Sequence, residues 1–150
     1  MANIRLAQSK DAQAIAQVYV ETWRNTYAGC LPDSKLARMS FKRQCASWSR
    51  TLASRNQVVV LENDGEVVGF GSCDYNKLRW LDYSGEIYTL YLLPDFHGCG
   101  FGRQLMKALF DVLIGRNYDS ALLWVLAENP TRFFYEAMGG RCIAERNERI

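Results

Sequence analysis

Leu90-Tyr91-Leu92-Leu93-Pro94-Asp95-Phe96-His97-Gly98-Cys99-Gly100-Phe101-Gly102-Arg103-Gln104-Leu105-Met106-Lys107-Ala108-Leu109 reads as an apolar strand, a proline, a glycine-rich turn and an amphipathic helix. Gly98, Gly100 and Gly102 remove Cβ atoms where the chain must bend and where a ligand must approach the main chain. The helix that begins near Gly100 aims its unpaired N–H groups, and the positive end of its dipole, into that turn. Together these features form a seat for a pyrophosphate.

Outward from this segment the pattern alternates strands with helices. Ile4 to Ala7 reads as a first strand. Ser9 and Asp11 are cap candidates for a helix with the stripe Ile15, Val18, Tyr19, Thr22 and Trp23. Gly29 to Pro32 breaks the chain, and Phe41, Cys45, Trp48 and Leu52 are spaced as a second helix. Val58 to Leu61 and Val67 to Cys73 are separated by Glu62-Asn63-Asp64-Gly65-Glu66, a good hairpin signal. Ile87 to Leu93 is nearly all apolar and belongs in the sheet interior.

The helix after the glycines offers Leu105, Met106, Leu109, Phe110 and Leu113 to a core. Ala121 to Leu126 follows that helix, so it should run parallel to the strand before it. A short helix from Thr131 to Met138 ends at Gly139-Gly140. The tail from Arg141 to Ile150 is expected to form one more strand. The order β-α-α-β-β-β-α-β-α-β predicts an α/β fold with helices on both faces of a mixed sheet.

Composition excludes several function classes. A chain of 150 residues, 49% hydrophobic and 23% charged, has the size and balance of one globular domain spanning residues 1–150. A net charge of +2 without any block of five like charges argues against nucleic acid. The apolar runs are too short to span a membrane, and Met1 to Arg5 starts no signal peptide, so a cytoplasmic location is expected. The five cysteines, Cys30, Cys45, Cys73, Cys99 and Cys142, form no C-x-x-C pair and read as reduced thiols. His97 is the only histidine, too few for a histidine triad or a multi-histidine metal site, and no metal is expected.

Three phosphate-binding readings compete for the turn. A Walker A loop ends in Gly-Lys-Ser/Thr, whereas Gly102 is followed by Arg103-Gln104. A dinucleotide fingerprint needs a third glycine where Arg103 stands. A coenzyme A pyrophosphate site is the third reading.

Here the sequence resembles the GNAT N-acetyltransferase superfamily. Its Gln/Arg-x-x-Gly-x-Gly/Ala signature is matched by His97-Gly98-Cys99-Gly100-Phe101-Gly102 after Leu90-Tyr91-Leu92-Leu93-Pro94, with His97 replacing the leading Gln/Arg. A second block is matched by Asn129 and by Phe134-Tyr135-Glu136-Ala137-Met138-Gly139, with Asn129 six residues before Tyr135 where many members have seven. Trp23 to Pro32 also looks like a stretch of one subset.

The resemblance implies a mostly antiparallel twisted sheet with a splayed parallel strand pair. It implies acetyl-CoA as co-substrate, no metal, and direct transfer to a primary amine of a small molecule or peptide. A non-catalytic acyl-CoA-binding module is the alternative.

Such a transfer needs a neutral amine, a stabilised oxyanion and a proton for the departing thiolate. Deprotonating an amine with a pKa of about 10.4 at pH 7 costs roughly 4–5 kcal/mol, which makes a base useful. Glu86, at the start of the central strand, is the candidate, acting through a water; its other reading is a solvated strand-end carboxylate. By resemblance the main-chain N–H of Leu90, freed by a bulge, polarises the acyl oxygen, and Leu92 pairs with the pantetheine arm.

Tyr135 is the general acid by resemblance, because a phenol is protonated at pH 7 and can donate to a thiolate. The coenzyme's phosphates fall to His97, Gly98, Cys99, Gly100, Phe101, Gly102 and Arg103. Asn129 either holds pantetheine or caps the following helix. Trp23, Tyr27, Tyr75 and Tyr88 line an acceptor cleft or pack as core aromatics, and Asp82, Tyr83 and Glu86 form a mildly acidic rim. The family usually ends in two strands after the last helix. With ten residues after Gly140, the final strand is either absent, contributed by a partner subunit or lost to truncation. A homodimer that covers the exposed sheet edge is expected.

Overall fold

β1 (Ala2–Leu6), β2 (Val58–Asn63), β3 (Glu66–Tyr75), β4 (Gly85–Leu92) and β5 (Ala121–Leu123) lie side by side in chain order. The first three pairings are antiparallel and β4–β5 is parallel. This computed structural model describes residues 1–27, 40–54, 57–78, 81–125 and 129–145. Among the described residues four helices accompany the sheet: α1 (Ala12–Tyr27), α2 (Phe41–Ala53), α3 (Phe101–Gly115) and α4 (Thr131–Ala137). The parallel pair follows from α3, which carries the chain back to the starting end of β4 before β5 begins.

Period-two alternation divides the core between the two faces. Val58, Val60 and Phe70 pack with Ile15, Val18, Trp48 and Leu52 beneath α1 and α2. Val59, Leu61, Val68, Cys73 and Ile87 pack with Leu105, Met106, Leu109 and Leu113 of α3. Val58 to Leu61 are all buried because both faces of β2 are covered, which explains why that run is continuous rather than alternating.

α3 lies close against the sheet over a track without side chains. A Cβ on Gly71 would stand 2.6 Å from Leu109 Cδ1, and one on Gly69 would stand 3.2 Å from Leu105 Cδ1. The β2–β3 turn places Asp64 at φ 52° and Gly65 at φ 82°, as a two-residue type I′ hairpin requires.

The expected elements appear with shifted ends, and several details differ. Gln8 rather than Ser9 is the N-cap of the entry to α1, and Asp11 is its capping-box partner. Ser9–Asp11 is a 3₁₀ turn, and the Asp11 carboxylate accepts the Gln8 N–H at 2.6 Å. Phe41 and Phe110 are on the expected stripes but remain exposed at the margins of their helices. β5 stops at Leu123; Trp124 and Val125 are not strand, and Leu126 lies outside the described residues. Residues 141–145 form no strand, and 146–150 lie outside the described residues, as does the break from Gly29 to Pro32. Gly139 at φ 97° ends α4, with the Gly140 N–H donating to the Tyr135 carbonyl at 2.9 Å.

The start of the fold is fastened by ions. The Arg5 guanidinium donates to both Asp11 carboxylate oxygens at 2.8 and 2.9 Å and also to Glu62. This ties β1 to β2 and to the entry of α1. The same hydrogen bonds hold the Asp11 carboxyl below its ordinary range.

A carboxyl lowered by folding stabilises the protein above its unfolded pKa of about 3.9 and loses that contribution as pH falls through its folded value. We expect Asp11→Asn to cost roughly 1.5–3 kcal/mol in urea denaturation at neutral pH. The gap between the variant and the parent should close as pH is lowered from about 4. A gap that stays constant down to pH 2 would contradict the assignment.

Candidate active site

β4 has two unlike edges. One is paired with β3 from Gly85 to Leu92; the other meets β5 only at Gly85, Glu86 and Ile87. Beyond Ile87 and Leu123 the parallel pair parts, and the second edge of β4 runs on without a strand neighbour among the described residues. The direction of each main-chain group along that edge follows from alternation. Leu93 N–H donates to the Val68 carbonyl of β3 at 2.9 Å. Leu93 and Tyr91 therefore face β3, while Leu92 and Leu90 turn their N–H and C=O groups to the open edge. His97 confirms the direction by donating its Nε2–H to the Leu92 carbonyl at 2.8 Å.

A bulge sits where the wedge opens. Ser72 stands opposite Thr89 and Cys73 opposite Ile87, which leaves Tyr88 as an extra residue of β4.

The glycine turn closes the C-terminal end of the wedge. A 3₁₀ turn at Pro94–Phe96 delivers the chain to Gly98 (φ 77°) and Gly100 (φ 82°), left-handed conformations that favour glycine, and a Cβ at either would meet nothing within 4 Å. The N–H of His97 is used by the Pro94 carbonyl and that of Gln104 by the Gly100 carbonyl. Between them, no hydrogen bond engages the N–H groups of Gly98, Cys99, Gly100, Phe101, Gly102 and Arg103 among the described residues. These donors and the N-terminal dipole of α3 give an anion-binding concavity.

Phe134 anchors α4 to this corner. A Cβ on Gly102 would stand 3.3 Å from the Phe134 ring, so glycine there allows α4 to rest on the first turn of α3. Tyr135, beside Phe134 at 5.3 Å between ring centroids, is half-buried at the edge of the same core cluster. Asn129 is buried, and its Oδ1 accepts the Thr131 N–H at 3.0 Å, fixing the approach to α4.

Glu86 is buried at the other end of the wedge and accepts the Lys77 main-chain N–H at 3.2 Å. Glu86 stands four positions before Leu90 on the same strand, about 13 Å of extended chain less the shortening at the bulge. Arg103 and Cys99 are exposed at the turn. Cys73 lies in the core, where burial raises its thiol to about 11.

The sequence matches the family described as acetyltransferase (GNAT) over residues 13–139. It is 32% identical over 151 residues to the uncharacterized N-acetyltransferase YuaI of Bacillus subtilis, covering 100% of this chain and 86% of that protein. An uncharacterized N-acetyltransferase of Archaeoglobus fulgidus is 37% identical over 137 residues, 88% of each chain. The chain belongs to the GNAT acetyltransferase family. Its fold also superposes on the crystal structure of the PaiA N-acetyltransferase of Thermoplasma acidophilum in complex with coenzyme A. That match has a TM-score of 0.77 and 18% identity, and it covers 98% of this chain and 93% of the other.

In this GNAT chain the aromatic residues divide into two groups. Trp23 lies beside a core cluster: its Nε1–H donates to the Tyr91 hydroxyl at 3.2 Å, and its ring stands 6.0 Å from that of Tyr19, which also meets Trp48. Tyr88 and Tyr75 stand apart from that cluster, with the Tyr88 hydroxyl donating to the Tyr75 carbonyl at 2.5 Å. Burial raises the Tyr88 phenol above its ordinary range, with nearby Asp74 adding to the effect. The Tyr27 side chain lies outside the described residues.

Asp82 and Tyr83 line a polar depression of about 640 Å³ with Asn76, Ser84, Asp119 and Ser120, at the starting ends of β4 and β5. It is the opposite end of the strands from the glycine turn. Much of its polar lining is bonded internally: Asn76 Nδ2 donates to the Leu81 and Tyr83 carbonyls, and Ser84 Oγ to Asp119. The Ser72–Thr89 hydroxyl pair at 2.6 Å and the Lys77 ammonium over Tyr88 carry no sequence signal, because both depend on strand register.

Proposed function

We propose that this GNAT enzyme transfers an acetyl group from acetyl-CoA directly to a primary amine of a small molecule or peptide. The supporting observation is the run of unengaged N–H groups from Gly98 to Arg103 at the mouth of a parted strand pair. A pyrophosphate fits such donors, with Arg103 at hand for a further phosphate contact and Gly98 and Gly100 leaving the approach unobstructed. When bound, the coenzyme supplies an activated thioester.

The residues of the chain do the rest. The open edge of β4 takes the pantetheine arm as an added strand, the Leu92 N–H serving it while His97 holds the Leu92 carbonyl. The Leu90 N–H, fixed in the wedge, donates to the acyl oxygen as negative charge grows there. Glu86 draws a proton from the acceptor amine through a water, and Tyr135 returns one to the leaving sulfur. Asn129 holds the entry to α4, and with it Tyr135, in position. A second copy of this chain covering an outer sheet edge completes the reading; a clean monomer by gel filtration would remove that part of it.

At a hundredfold excess over its Kd, acetyl-CoA should stabilise the protein by about 2.7 kcal/mol, a rise of roughly 5–10 °C in Tm. Gly100→Val, which forces a branched side chain into the left-handed region, should abolish that rise. No shift with the parent protein at millimolar coenzyme would count decisively against the assignment. Tyr135→Phe should lower kcat by roughly a hundredfold in a thiol-release assay with KM for acetyl-CoA unchanged. An equal change in both constants would assign Tyr135 to binding.

A further inference from the structure

The Lys77 Nζ rests 4.2 Å from the centroid of the Tyr88 ring. Tyr88 is the bulge residue, between Glu86 and Leu90 in the strand that carries both. Ile87 and Leu90 turn toward α3, so Glu86 and Thr89 turn the other way. Lys77 links Tyr88 to the Glu86 side, because its main-chain N–H meets the Glu86 carboxylate while its Nζ lies over the Tyr88 ring. Glu86, Tyr88 and Thr89 thus share the face opposite α3. From Tyr88 to Leu90 is two residues, about 7 Å along the strand.

We propose that Lys77 is a self-acetylation site, its side-chain amine lodged where the primary amine of a lysine-like acceptor docks. The inference rests on the acetyl-transfer reading and names the acceptor class for it.

Three observations support the assignment. The Lys77 main-chain N–H is fastened to the Glu86 carboxylate, so the lysine is tethered to the candidate base itself. The ammonium sits on an aromatic face, which attracts a cation without forming an ion pair. No carboxylate of the described residues lies within salt-bridge distance of Lys77, whereas Lys107 is paired with Asp111 at 3.1 Å. Tyr88 itself stays a neutral phenol, because burial opposes its ionisation.

In the reaction the neutral Lys77 amine attacks the thioester carbonyl of acetyl-CoA. The Nζ–C bond forms, the C–S bond breaks, and the sulfur leaves with the bonding pair. One proton passes from the nitrogen toward Glu86, and Tyr135 protonates the sulfur. The products are acetyl-Lys77 and free coenzyme A.

The test is incubation of the purified protein with acetyl-CoA and no added amine, followed by intact mass and peptide mapping over time. One acetyl group should appear on Lys77, in preference to Lys10, Lys35, Lys42 and Lys107. The appearance should be first order and independent of protein concentration. Tyr135→Phe should slow it, and Lys77→Arg should remain unlabelled.

A second readout needs no coenzyme. In the free protein the Lys77 side-chain methylene protons should resonate upfield of those of the other lysines, and Tyr88→Leu should abolish that shift. Acetylation spread evenly over the lysines, or at a rate proportional to protein concentration, would overturn the proposal. If acetyl-CoA raises Tm and added amines are turned over while Lys77 stays unmodified, only this inference fails. If acetyl-CoA does not bind, the acetyl-transfer reading fails with it.

Discussion

β4 is hydrogen-bonded to β3 along its length but to β5 only as far as Ile87, and the site depends on that difference. A strand buried in a sheet normally spends its main-chain donors and acceptors on two neighbours. Here the parallel partner leaves early, so the N–H groups of Leu90 and Leu92 face an open wedge. The strand stays extended there because β3 holds its other edge. Among the described residues the wedge is a stretch of sheet edge without a strand partner, a geometry that suits an extended ligand arm.

The glycine track in β3 controls how the wedge is roofed. With no side chains at Gly69 and Gly71, α3 settles onto the sheet through Leu105 and Leu109. That contact fixes the height and direction of the helix, and so aims the free donors of its first turn at the mouth of the wedge. Gly102 then admits Phe134, which brings α4 and Tyr135 to the same corner. Each of these approaches requires the absence of a Cβ, and together they bring the anion seat, the open edge and the phenol-bearing helix into one corner.

The acceptor side proposed here is built differently. Its groups come from one strand and the loop that precedes it, and they are gathered by the bulge at Tyr88. Tyr88 is the one extra residue of β4, and Lys77 joins it to Glu86, with its main-chain N–H on the carboxylate and its ammonium over the ring. The polar depression at the starting ends of β4 and β5 lies farther off, with much of its hydrogen bonding satisfied internally.

Local chemistry made much of the chain legible before any coordinates. The run from Leu90 to Leu109 declared its strand, turn and helix, because proline, paired glycines and a helical apolar stripe each act over a few residues. The hairpin at Asp64-Gly65 and the stop at Gly139-Gly140 were equally local. Phe110 is exposed despite its place on the apolar stripe, because periodicity shows which face a residue shares, not how far the core reaches. Where β5 leaves β4, which β4 residue bulges, and which lysine lies on Tyr88 were decided only by the folded sheet. Those outcomes depend on register between strands distant in sequence, which side-chain packing between the layers sets.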